Sequence, residues 1–316
     1  MRHRWAALLF TCLLVGCAGP KIDAARSLAA KGSIAAAGLQ QSAQGVYTAF
    51  LETPALEAIE VGLVTEDQPA TNIDPQQFLK ISAALRERVG IAAQLVAVYA
   101  AFDDLARYDA AGQMEAGLEE LIGNINNFAA LFGGSPINSV AGQLVQISGG
   151  LIVSNIQKSQ LLKANALIVE ALRGYSELLY NPSNRALIVS LAQDGVARRY
   201  NVARELWRQG LLSAEPIVAE LVSKQGLKLQ TSNKITYTSA SPALRAAMLS
   251  YFELVRDEQV AAVEDEYDTS LKLIGALISA HSAFGATEDV NLDSVLAFVR
   301  ELQAIAERLR LASLTN

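Results

Sequence analysis

Five dipeptides punctuate this chain: Thr53-Pro54, Asp74-Pro75, Ser135-Pro136, Asn181-Pro182 and Ser241-Pro242. Each sets a preferred N-cap side chain before a proline, whose fixed φ and missing N–H suit the first position of a helix. The pairs therefore predict five helix starts, and Asp74 adds Gln77 three residues on, at the capping-box spacing. The composition points the same way. At 51% hydrophobic but only 6% aromatic, the apolar content is mostly Ala, Leu, Ile and Val, which suits helix packing better than sheets. An all-α fold is the expectation.

Periodicity fills the intervals between these starts. Asp23 is a plausible N-cap for an alanine-rich helix from Ala24 to about Leu51, where small side chains let a neighbour approach closely. From Pro75, the residues Phe78, Ile81, Leu85, Val89, Ala92, Val96 and Tyr99 step by three and four along one stripe to about Tyr108. A helix from about Gln113 to Phe132 stops at Gly133-Gly134. The pattern from Ser135-Pro136 continues past Gly149-Gly150 to about Tyr180, Arg185 to Arg208 forms the next helix, and a short one lies near Ser213 to Lys224. Around Ser232-Asn233 the helical period fails, and residues 226–240 read as either a small β-hairpin or an irregular loop. The longest helix runs from Pro242 to about Ala283, and an amphipathic one from Leu292 to about Leu311 turns Leu292, Val295, Val299, Leu302, Ala306 and Leu309 inward and Arg300 outward. Long helices with short capped turns pack as an elongated antiparallel bundle, here of five to seven helices in a single domain over residues 23–316.

Ahead of that body, Met1 to Arg4 is basic, Trp5 to Val15 is apolar, and Gly16 is small, the three parts of an export signal. The apolar run is about half the roughly 20 residues a bilayer span requires. Leu14-Val15-Gly16-Cys17 closes it. This tetrapeptide resembles the lipobox of bacterial lipoproteins. The resemblance implies cleavage of residues 1–16 and lipidation at Cys17, through a thioether to diacylglycerol with a further acyl chain such as palmitate on the new amino terminus. Several chains at about 0.8 kcal/mol per buried CH₂ hold essentially irreversibly where one does not. Cys12 is a poor rival, being preceded by Phe10 and Thr11. Ala18 rather than Asp follows Cys17, which resembles lipoproteins sent to the outer membrane, facing either periplasm or exterior. Residues 17–22 form the expected lipidated terminus and tether, reaching roughly 18 Å.

Charge and thiol content narrow the chemistry. Loss of Arg2 and Arg4 leaves 24 basic against 32 acidic residues, a balance of −8 that repels nucleic acid and anionic lipid alike. The mature body has no cysteine beyond Cys17 and only His281, so disulfides, zinc-thiolate sites and the commonest catalytic triads have too few members. No metal or cofactor site is expected.

Four features remain as candidates. Leu121 to Gln157 carries no charge and resembles, loosely, the membrane-inserting tongue of α-helical pore-forming toxins, although Asn124, Asn126, Asn127, Asn138, Gln143, Gln146 and Asn155 suit hydrocarbon poorly. Asp257, Glu258, Glu264, Asp265, Glu266 and Asp268 form an acidic helix segment that reads as a solvated face, with a cation or basic partner as the sharper reading. His281 borders the apolar stripe and reads as a packed or capping residue. Arg198, Arg199, Arg204 and Arg208, with Tyr200 and Trp207, read as a solvated helix end or a partner patch. The resulting expectation is a non-catalytic envelope protein, held to the membrane through Cys17, that binds another envelope protein as scaffold or assembly component. Its alternatives are a membrane-active protein using 121–157 and an envelope enzyme relying on carboxylates or hydroxyls.

Overall fold

The computed structural model describes residues 19–64, 74–107, 110–132, 134, 136–137, 154–226, 228 and 234–286, with 293, 297, 300 and 304 beyond them. Among these residues there are seven helices and no strand: α1 (Gly19–Val64), α2 (Pro75–Arg107), α3 (Ala111–Phe132), α4 (Ser154–Tyr180), α5 (Pro182–Arg208), α6 (Glu215–Ser223) and α7 (Pro242–Ala286). Paired residues give the directions. Ser42 meets Ser270 and Lys21 meets the Phe284 carbonyl, so α1 and α7 are antiparallel. Arg26 faces Asp103, and Phe50 stacks on Phe78 at 4.8 Å, so α2 returns along α1. Along α7, Asn165 bonds His281, Tyr267 bonds the Leu179 carbonyl, Arg185 pairs with Asp268, and Gln193 bonds the Val260 carbonyl. α4 and α5 thus succeed one another in one column against α7. The bundle has four columns, α1, α2, α4–α5 and α7, with α3 packed beside α2 and α4.

Three of the five proline pairs begin helices as expected. Asn181 Oδ1 accepts from Ser183 N and Asn184 N at 3.0 and 3.4 Å, Asp74 Oδ1 from Gln76 N at 3.0 Å, and Ser241 Oγ from Leu244 N at 3.2 Å. Thr53-Pro54 does not. α1 continues through Pro54, and the Thr53 hydroxyl donates to the Ala49 carbonyl at 3.0 Å. Packing carries the helix past the missing N–H: beyond Pro54, Glu60 pairs with Arg198 at 3.5 Å and the Leu63 carbonyl accepts from Gln209. Pro136 and Ile137 are not helical, and the rest of the expected helix before Ser154 lies outside the described residues. Asp23 is not an N-cap either, because α1 starts four residues earlier, at Gly19. Residues 19–22 of the segment expected as a tether are the first residues of α1, and Cys17 and Ala18 lie outside the described residues. Lys21 explains how this start is held: its ammonium binds the Phe284 carbonyl and lies 4.7 Å from the Phe284 ring, at the negative end of the α7 dipole.

Of the hairpin-or-loop alternatives at 226–240, the described part is an irregular loop, with no regular structure at Lys234 to Thr236 and a turn over Tyr237 to Ser239. Ile235 accepts from Ala214 N at 2.8 Å, and Tyr237 sits edge-on to the buried Trp207 at 5.8 Å. Beyond α7, Asp293, Ala297, Arg300 and Ala304 are helical and exposed; the proposed inward stripe of that segment lies outside the described residues.

Small residues set the closest approaches in this bundle. A Cβ on Gly32 of α1 would lie 2.1 Å from the Tyr99 ring, and one on Gly195 of α5 would lie 2.8 Å from the Ala49 carbonyl oxygen. Neither a buried ring nor a helix backbone yields cheaply. Gly32→Ala and Gly195→Ala are each expected to cost about 1–3 kcal/mol through overpacking. Gly62→Ala, whose Cβ meets nothing within 4 Å, should not destabilise. Urea denaturation midpoints of the three variants check this.

Candidate functional site

Two polar clusters lie inside the bundle; both join α2, α4 and α7, and the first also takes in α1. At mid-length, Arg88 of α2 is 2% exposed and Glu266 of α7 is 3% exposed. Ser42 of α1 hydrogen-bonds the Glu266 carboxyl and stands 3.3 Å from Ser270. Arg88 hydrogen-bonds Tyr175 of α4 and lies 5.5 Å from the Tyr267 ring. Burial pushes the Glu266 carboxyl above its ordinary range, while Ser42 and Arg88 pull it back. Burial likewise raises the Tyr175 phenol, with Arg88 opposing, and lifts Tyr267 to about 12. The Nε and Nη1 of Arg88 have no hydrogen-bond partner among the described residues.

The second cluster lies 15 residues further along α7, roughly 22 Å at 1.5 Å per residue. His281 Nδ1 is 2.7 Å from Asn165 Oδ1, and Nε2 is 3.0 Å from the Tyr99 hydroxyl. Asn165 Nδ2 donates to the His281 carbonyl at 3.0 Å, which fixes the amide's orientation and makes Oδ1 the acceptor. The imidazole is therefore neutral with its proton on Nδ1, and Nε2 accepts from Tyr99. Phe102 and Phe284 close the ring in, and burial lowers His281 to about 3. Such a histidine positions helices; its one free lone pair is already taken by a phenol.

The acidic segment of α7 is not one solvated face. Glu266 turns into the core, while Glu264 and Asp268 hold Arg185 at 2.7 and 3.0 Å. Asp257 and Glu258 are exposed. The arginines of α5 are likewise engaged within the bundle: Arg198 with Glu60 and Asp194, Arg199 with Glu52 at 2.7 Å, Arg204 and Arg208 with Glu205. They tie α5 to α1 more than they present a free patch. No three of the described His, Cys, Asp and Glu side chains group in a way that suits a metal ion.

In the uncharged 121–157 stretch, Leu121, Ile122, Ile125, Phe128 and Ala129 are core residues of α3. Asn126 donates to the Ile137 carbonyl at 3.0 Å and accepts from its N–H at 2.7 Å, so one of the polar residues acts as a backbone clip. Residues 138–153 lie outside the described residues, as does Cys17. Among the described helices α2 alone is long and apolar enough to cross a membrane, and half of its most apolar window is buried in the bundle.

Arg88, Asn165 and Tyr175 escape the sequence reading, which placed Tyr99 on the apolar stripe of α2 and Glu266 in an acidic segment without a role for either in a buried cluster. Of the predicted α2 stripe, Leu85, Ala92 and Tyr99 are in the core, while the core face is wider than the stripe and also takes in Arg88, Ile91, Leu95, Val98 and Phe102. A charged side chain three residues from both Leu85 and Ile91 was the available signal. No family model, no curated protein and no solved structure matches the chain.

Two outcomes follow from the clusters. Arg88→Ala removes a fully buried side chain together with the cation that opposes the burial cost of the Glu266 carboxyl, and should cost about 2–5 kcal/mol, whereas Arg88→Met keeps most of the volume and should cost less; a denaturant double-mutant cycle with Glu266→Leu measures the coupling. For His281, the unfolded chain takes up a proton near 6.5 and the folded one only near 3, so protons favour unfolding between those values. The His281 contribution is complete above about pH 6.5 and falls by up to about 1.4 kcal/mol per unit as pH drops. The stability advantage of wild type over His281→Gln should therefore shrink from pH 7 to pH 4.

Proposed function

We propose that the protein is a lipid-anchored component of a bacterial envelope, most simply of the outer membrane, whose bundle acts without catalysis by binding other envelope proteins as scaffold or assembly partner. The observation that carries this reading is Leu14-Val15-Gly16-Cys17 at the end of a basic-then-apolar leader. Its support from the fold is mechanical. α1 begins at Gly19, two residues after Cys17, so lipidation would bring the end of a 46-residue helix within about 7 Å of the acylated position. The ionisable groups of the interior are committed to joining helices, with Glu266 bonded by Ser42 and His281 by Tyr99 and Asn165. That favours a rigid body over a reacting centre.

Labelled palmitate should enter the wild-type protein in a bacterial host and not Cys17→Ala; continued labelling of that variant sinks the anchor. In-cell crosslinking from the body should capture a defined protein neighbour, and capture of lipid alone removes the scaffold reading.

A further inference from the structure

A groove of about 580 Å³ runs between α1 and α2 close to Gly19. Asp23, Arg26 and Ser27 line it from α1, and Asp103 and Arg107 from α2. Its middle is shallow-walled because Ala30 and Ala100 carry only methyl groups there. The charges balance, two guanidiniums against two carboxylates, so the groove offers a lone anion or a lone cation little net attraction. A ligand carrying both signs is matched locally.

The charges are also unequally engaged. Arg107 Nε and Nη2 both sit 2.8 Å from Asp103 Oδ2. Arg26 Nε is 4.0 Å from the other Asp103 oxygen, too far for a hydrogen bond, and its side chain is 44% exposed. Arg26 thus keeps a planar donor fork for a phosphate, and Asp23, one turn before it on the same helix, presents an exposed carboxylate.

Depth agrees with this chemistry. Asp23 and Arg26 lie about 6 and 10 Å along the axis from Gly19. The polar layer on each side of a bilayer is roughly 5–8 Å thick. Asp23 falls within that layer, and Arg26 reaches it where α1 is inclined to the membrane normal, so an acyl chain on Cys17 would hold the groove within reach of headgroups; here the inference rests on the anchor proposed above.

We propose that the α1–α2 groove binds the zwitterionic headgroup of a membrane phospholipid, phosphate on Arg26 and ammonium on Asp23. The headgroup orients the anchored bundle on its membrane.

The test uses the full-length lipidated protein extracted in mild detergent. Native mass spectrometry should find about one retained phosphatidylethanolamine per chain, and calorimetry should show saturable binding of glycerophosphoethanolamine. Arg26→Ala and Asp23→Ala should each weaken that binding at least tenfold at unchanged helix content and denaturation midpoint. Glycerol 3-phosphate, lacking the ammonium, should bind at least tenfold more weakly than glycerophosphoethanolamine. Equal binding by Arg26→Ala, equal binding of glycerol 3-phosphate, or binding of the free headgroup with no retained lipid each overturns the proposal. The two readings separate cleanly: protein that takes no palmitate yet binds the headgroup sinks the anchor alone, and palmitoylated protein that retains no phospholipid sinks the groove alone.

Discussion

A buried arginine and a buried glutamate on different helices near the middle of the bundle restrict which helices can be neighbours. Arg88 and Glu266 are both almost fully buried, and each has partners on other helices, Tyr175 for the first and Ser42 for the second. Burying two ionisable groups contributes little net stability, because their desolvation offsets whatever attraction they gain. Its effect lies in what it forbids. Sliding α7 one turn along α2 would leave a guanidinium and a carboxyl facing alkyl groups, at several kcal/mol each. In a body packed largely with alanine and leucine, where many registers bury similar area, that penalty selects one. Tyr99, Asn165 and His281 repeat the constraint nearer Gly19 with neutral groups.

These two levels divide labour with the small residues. Gly32 admits the Tyr99 ring, and Gly195 admits the Ala49 carbonyl, so α1 is drawn against α2 near one end and against α5 near the other. The polar clusters set position along the axis, and the glycines set distance across it. Ion pairs outside, such as Arg199 with Glu52, contribute at most about 1 kcal/mol each in water and follow from a geometry already fixed.

The helical class, the long α7 and the caps at Asp74, Asn181 and Ser241 were legible because each rests on local chemistry: a side-chain oxygen, a fixed φ, a 3.6-residue period. What was illegible is tertiary. Thr53-Pro54 has the same local signature as Asn181-Pro182, yet contacts of residues 60 and 63 with α5 keep α1 running through it. Asp23 looks like a cap until Lys21 is seen fastened to the far end of α7. Glu266 counts as one acid among six until the helix rotates it inward, away from Glu264 and Asp268. The predicted stripe of α2 reached the core at Leu85, Ala92 and Tyr99, but the apolar period could not include Arg88, which is buried beside them. Burial of charge depends on a partner on another helix, and no single helix carries that information.

On the proposed anchoring, these constraints set where such a body can act. α1 alone is 46 residues, on the order of 69 Å at 1.5 Å per residue, and its far end is tied to α5 by Glu60 and by the Leu63 carbonyl. The end near Gly19 is fastened by Lys21, so both ends move with the whole bundle. At the far end, Leu211 and Leu254 are 69% and 71% exposed, apolar side chains that the bundle's own core leaves uncovered. A partner met there would be met tens of ångströms from the anchor, whereas one met at the α1–α2 groove would be met beside it. A bundle whose first helix is tied to its neighbours at both ends would convert attachment at one residue into a defined separation.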